Sequence, residues 1–85
     1  MNESTGATMR FHVTEDKEKT LKKDLITIHD ALQEKGYNPI NQIVGYILSE
    51  DPTYITTHQN ARNIIRHIDR DELLQILVKS YINGK

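Results

Sequence analysis

The chain of 85 residues contains no cysteine, which removes disulfides, thiol catalysis and thiolate metal sites together. No apolar run approaches the ~18 residues of a membrane span. The opening Met1-Asn2-Glu3-Ser4-Thr5-Gly6-Ala7 lacks the basic-then-apolar build of a signal peptide. A soluble, cytoplasmic protein with no membrane insertion is the simplest expectation. A net positive charge is lacking as well, since 11 Lys and Arg are balanced by 12 Asp and Glu. With a formal net charge of -1 the molecule has no global field to attract a phosphate backbone, so a nucleic-acid role would require a strongly localised basic face.

Motifs of catalysis and cofactor binding are also missing. None of the four histidines, His12, His29, His58 and His67, lies three or four residues from another, so metal-ligand spacing is absent. The four glycines, Gly6, Gly36, Gly45 and Gly84, are isolated, and neither glycine-rich phosphate-loop pattern occurs. A serine nucleophile would need a positioned base and an oxyanion site, for which there is no local signal. We therefore expect no cofactor and no metal, and rank an enzyme below a binding or regulatory protein.

What the chain does contain is helical patterning. Hydrophobic residues make up 36% and charged residues 27%, the balance of a folded domain rather than a disordered one. The length allows one domain, whose core is small enough that oligomerisation is a natural supplement. Residues 1 to about 8 are polar and read as a mobile tail. Met9, Phe11 and Val13 then alternate with polar residues, and with no second strand to pair with they read as anchors pinning the tail to a helical body.

A first helix is expected from about Lys17 to Lys35, with Leu21, Leu25, Ile28 and Leu32 on one face and Gly36 closing it. The second follows Asn38 as cap and Pro39 in its first turn. Its Ile40, Ile43, Val44, Ile47 and Leu48 form a complete apolar stripe that must be buried, around which the rest of the chain is organised. Asp51-Pro52 marks a turn or short helical turn through Tyr54 and Ile55. A third helix is expected over about 57–68, capped by Thr56 or Thr57, with Ala61, Ile64, Ile65 and Ile68 inward. Asp69 caps a fourth, with Glu72 reaching back as in a capping box. That helix is apolar on most of its circumference, which favours contact with a second subunit. The expected architecture is all-α: a compact bundle of four to five short helices, homodimeric, with a flexible tail (1–10) preceding a helical dimerisation and regulatory domain (11–85).

Two features carry chemistry. On a continuous third helix His58, Arg62 and Arg66, four residues apart, line one face, and Arg70 follows the junction. Either this is a solvated face paired to Asp69, Asp71 or Glu72, or it is a patch for a carboxylate or phosphate, which the planar guanidinium fork suits. The second feature is Thr5 and Thr8 in the polar tail. Phosphorylation there adds about -1.5 to -2 charges per site, more than the whole formal net charge.

The run from Asp30 to Tyr46, then Asp51-Pro52, Tyr54-Ile55, Ala61-Arg62-Asn63 and Arg70-Asp71-Glu72-Leu73, closely resembles the IreB family of small regulatory phosphoproteins, also called ReoM. The likeness extends from Thr8 to Tyr81. It implies a non-enzymatic helical homodimer, a substrate of the PASTA-domain serine/threonine kinase of Gram-positive bacteria and of its cognate phosphatase. Such proteins regulate peptidoglycan synthesis, and with it cephalosporin resistance, through Clp-dependent proteolysis of a precursor-pathway enzyme, by contact with the Clp machinery or its adaptor. The family's phosphothreonine precedes a hydrophobic-Arg-Phe motif, here Thr8-Met9-Arg10-Phe11, and a secondary site falls on Thr5. Where relatives commonly carry Pro-Arg before the histidine, this chain has Thr56-Thr57, one positive charge fewer. The alternative from another class is a helix-turn-helix nucleic-acid-binding protein reading DNA with the 57–68 helix.

Overall fold

The computed structural model describes residues 15–84. The expected strand-like pattern at Met9–Val13 and the acceptors Thr5 and Thr8 lie outside the described residues. Four α-helices and two single turns of 3-10 helix make up the described chain, with no strand among these residues. The helices are α1 (Glu15–Glu34), α2 (Pro39–Ser49), α3 (Ala61–Arg66) and α4 (Arg70–Ile82).

The helix ends follow from local chemistry. Acidic Glu15, Asp16 and Glu18 in the first turn of α1 face the positive end of its dipole. Gly36, at φ 85°, takes the left-handed conformation that closes α1. The Gly36 N–H then donates to Gln33 O at 3.0 Å and the Tyr37 N–H to Leu32 O at 3.0 Å, the two bonds of a Schellman ending. Asn38 Oδ1 accepts from the Asn41 N–H at 3.1 Å, with Pro39 at the first helical position. Asp69 caps α4 by accepting from the N–H groups of Asp71 and Glu72 at 2.9 and 3.2 Å. The reciprocal half of the expected capping box is not made: the Glu72 carboxylate instead accepts from Lys17 Nζ at 2.9 Å, an ion pair from α4 to α1.

The core is built on α1. Ile28, Ala31 and Leu32, at helical spacing, are buried together with Ile55, Ala61 and Ile65, while Ile43, Tyr46, Ile64 and Ile68 pack around them. Leu21 and Leu73 are buried outside this cluster.

Two expectations need correction. The stripe of α2 is not covered: Ile40, Val44 and Leu48 are 62, 45 and 80% exposed, and only the Ile43, Tyr46 and Ile47 side of the helix turns inward. An 11-residue helix lying on one neighbour can bury about half of its circumference, and this stripe is wider than that contact. The third helix is also shorter than expected. Thr57 makes no capping bond; His58–Asn60 is a 3-10 turn whose Gln59 and Asn60 have φ 54° and 62°, and the α-helix begins only at Ala61. The left-handed pair interrupts the periodicity, so His58 is not one helical turn below Arg62.

Gly45 and Gln42, incidental to the apolar stripe, have defined roles. A Cβ on Gly45 would sit 2.5 Å from Cε1 of Tyr54, so only glycine lets that ring lie against α2. Gln42 Nε2 donates to Tyr54 O at 2.9 Å. The two residues seat the 3-10 turn Pro52–Tyr54, which delivers Ile55 into the core.

Candidate partner-binding surface

The four basic residues of the expected stripe occupy three supports: the 3-10 turn holds His58, α3 holds Arg62 and Arg66, and α4 begins with Arg70. His58 follows Thr56, whose Oγ1 accepts from the His58 N–H at 3.1 Å, and its Nε2 lies 2.7 Å from Glu34 Oε1 at the end of α1. Arg62 extends from α3 and its Nε donates to Ile55 O at 2.8 Å. Arg70, the first residue of α4, donates Nη1 to Ile47 O at 2.6 Å and Nη2 to the Glu50 carboxylate. Arg66 is exposed, and its side chain has no partner among the described residues.

Arg62 and Arg70 therefore converge on one segment from two helices. They hold the exit of α2, from Ile47 to Ile55, and each satisfies a backbone carbonyl there. For Arg70 this is a cation at the C-terminal end of α2, where the carbonyls lack helical partners and the dipole is negative. Asp51 completes the connection by accepting from the Thr53 N–H at 3.0 Å and from the Thr53 hydroxyl at 2.7 Å. The hydroxyl first and the N–H second hold its carboxyl below the usual carboxylate range, with a smaller contribution from the nearby Arg62 charge.

The surface that results is of mixed sign. Glu34 and Glu50 pair with His58 and Arg70, and Asp51 lies within the field of Arg62. What this arrangement presents is one unpaired guanidinium, Arg66, on a rigid frame, suited to an acidic side chain or a phosphate on a protein partner. No cluster of three or more metal-ligating side chains occurs among the described residues, and no helix among them is long and apolar enough to cross a membrane.

A second surface is apolar; its α2 part was expected to be core, its α4 part to meet a second subunit. Ile40, Val44 and Leu48 form an exposed ridge on α2, and Leu74, Leu77, Val78, Tyr81 and Ile82 are exposed on α4. Periodicity reveals an apolar face but carries no information on whether the same chain or another covers it.

Residues 6–83 match the family described as IreB regulatory phosphoprotein. A UPF0297 protein of Ruminiclostridium cellulolyticum is 59% identical over 77 residues, covering 91% of this chain and 88% of that protein. A match that takes in Thr8, the arginine frame and all four helices shows that the chain belongs to the IreB family of regulatory phosphoproteins.

Proposed function

We propose that this protein is a non-enzymatic, cytoplasmic switch: a substrate of a PASTA-domain serine/threonine kinase and its cognate phosphatase, with Thr8 as principal acceptor and Thr5 as a secondary one. Its unmodified helical body engages the Clp protease machinery or its adaptor through a surface including His58, Arg62, Arg66 and Arg70. That contact governs Clp-dependent proteolysis of the enzyme committing precursor to peptidoglycan synthesis, and through it resistance to cephalosporins. The observation carrying this reading is the family match over residues 6–83, which includes Thr8 in Thr8-Met9-Arg10-Phe11.

The exposed ridges of α2 and α4 support a homodimer. Apolar area removed from water contributes about 25 cal/mol per Å², and nine large apolar side chains, Tyr37 included, stand exposed on or beside these two helices. The mixed charge of the arginine frame favours a protein partner over nucleic acid, and a helix of six residues with Arg62 tied to Ile55 does not support reading a DNA groove.

Incubation with the PASTA-domain kinase, followed by mass-spectrometric mapping, tests the switch. Phosphate on Thr8 is the expected result; label found only outside residues 1 to 11 overturns the proposal.

A further inference from the structure

Asparagine followed by glycine occurs once in the chain, at Asn83-Gly84. The asparagines elsewhere, Asn2, Asn38, Asn41, Asn60 and Asn63, precede Glu3, Pro39, Gln42, Ala61 and Ile64, each of which puts a Cβ or a ring beside the main-chain nitrogen that the asparagine side chain would have to meet. Asn83 is the C-cap of α4, and Gly84 follows in the left-handed region at φ 77°. Both are exposed. A Cβ built on Gly84 would meet nothing within 4 Å, so the space around the junction is open. Two backbone bonds hold it: the Asn83 N–H donates to Lys79 O at 3.0 Å and the Gly84 N–H to Tyr81 O at 3.3 Å. The second is the longer, and Tyr81 and Ile82 are 88 and 73% exposed. No packed side chain anchors this last turn, which is therefore the part of α4 that opens most readily.

We propose that Asn83 is a site of spontaneous deamidation, driven by the main chain at Gly84. The Gly84 nitrogen gives up its proton to a base in solvent and attacks Asn83 Cγ. A carbon–nitrogen bond forms, closing a succinimide ring, while the Cγ–Nδ2 bond breaks and Nδ2 takes up a proton and leaves as ammonia. Water then adds to one of the ring carbonyls. Cleavage between Cγ and the Gly84 nitrogen gives an aspartyl residue; cleavage at the main-chain carbonyl gives an isoaspartyl residue, with the chain rerouted through Cβ. The attacking nitrogen is the one whose N–H closes the end of α4 on Tyr81 O, so the reaction proceeds from the opened turn and removes that bond.

The position of the product gives it a consequence for the fold. Asn83 also lines a groove of about 550 Å³ between α1 and α4, floored by Leu21, Leu25, Ile76 and Leu77. Across it α4 is tied to α1 by the ion pairs Lys17–Glu72 at 2.9 Å and Lys79–Glu18 at 3.2 Å. A carboxylate at position 83 stands at i+4 from Lys79 and competes with Glu18 for its ammonium. It also puts a negative charge at the negative end of the α4 dipole. Both effects loosen the end of the helix that carries the exposed Tyr81 and Ile82, and the formal net charge becomes one unit more negative than -1.

Ageing the full-length protein in mildly alkaline buffer, followed by peptide mapping with mass spectrometry, tests the site. The expected result is conversion of Asn83 to two chromatographically distinct products of equal mass, aspartyl and isoaspartyl, while Asn38, Asn41, Asn60 and Asn63 remain amides. The rate should rise with pH, because the attacking nitrogen must lose its proton. It should be of the same order in the native protein as in the urea-unfolded chain, since a fraying end opens at almost no cost in free energy. Gly84→Ala, and Asn83→Gln, whose longer side chain must close a larger ring, should each lose most of the conversion. Absence of isoaspartate at position 83, conversion spread over the helical asparagines, or a native rate more than about tenfold below the unfolded one overturns the proposal. Asn83→Asp should speed backbone amide exchange at Tyr81–Gly84 in low salt and leave Ile28–Leu32 unchanged; unaltered exchange at Tyr81–Gly84 overturns the loosening of α4.

Discussion

Arg70→Ala separates scaffold from contact surface in this protein. The guanidinium makes two bonds of unequal value. The first, to Ile47 O at 2.6 Å, is part-buried and joins a charged donor to a carbonyl at a helix C-terminus, a class worth about 1.5–3 kcal/mol. The second goes to Glu50, whose side chain is 61% exposed, and solvent screening holds such a pair to about 0–1 kcal/mol. Arg70→Ala should therefore cost about 2 kcal/mol, with most of the loss at Ile47. Glu50→Ala should cost less than about 0.5 kcal/mol, and Arg70→Lys, which keeps one point donor and loses the fork, about half of the alanine effect. In urea, with a slope near 1 kcal/mol per molar for a small domain, the midpoint of Arg70→Ala should fall by about 1–2 M. The variants must be compared at one protein concentration, because the proposed dimerisation would make stability concentration-dependent. An unchanged midpoint for Arg70→Ala, or a Glu50→Ala variant as unstable as Arg70→Ala, would refute the assignment of Arg70 as the cap of α2. If the cap is confirmed, loss of partner binding in Arg70→Ala reports a displaced frame, and Arg66→Ala becomes the cleaner probe of contact.

Gly45→Ala should destabilise by about 1–2 kcal/mol even though alanine is the better helix former by about 1 kcal/mol, because the new Cβ overlaps the Tyr54 ring and overpacking outweighs propensity; in a Tyr54→Ala background the same change should become neutral or stabilising in thermal melts. Val44→Asp with Leu48→Asp, placed on the exposed ridge of α2, should abolish dimers in sedimentation, and a persisting dimer would remove that ridge from the interface. Asp51 has a folded pKa depressed from about 3.8, so its stabilisation is complete above the unfolded value and is lost as pH falls through the lower folded value. Asp51→Asn, which keeps an acceptor for the Thr53 N–H, should therefore show a shallower acid limb in melting temperature against pH, and an unchanged limb would place the acid sensitivity elsewhere.

The helix boundaries set by short-range chemistry were legible in the residues themselves. Gly36, Asn38, Pro39 and Asp69 act through bonds spanning no more than five positions, and each performs the role its side chain or backbone freedom suggests. The break before α3 was not legible. Thr57-His58-Gln59-Asn60 contains no proline or glycine, and its left-handed pair arises where the chain must turn from the Ile55 anchor into α3, which local propensity does not encode. The basic stripe was half legible: the residue types and the register of Arg62 with Arg66 were readable, but the acceptors at Ile47, Ile55 and Glu34 come from parts of the fold remote in sequence.

The sequence by itself determined the all-helical class, the caps at Gly36, Asn38, Pro39 and Asp69, the α1 core face and the family. All of these depend on residue type and on spacings within a few turns. Only the tertiary structure decided that Ile40, Val44 and Leu48 of the central apolar stripe stay exposed, that Arg62 and Arg70 brace a connection while Arg66 stands free, and that an apolar groove opens between α1 and α4. Each of these depends on how much area one small helix can cover and on which distant carbonyl a long side chain can reach, quantities set by packing in three dimensions.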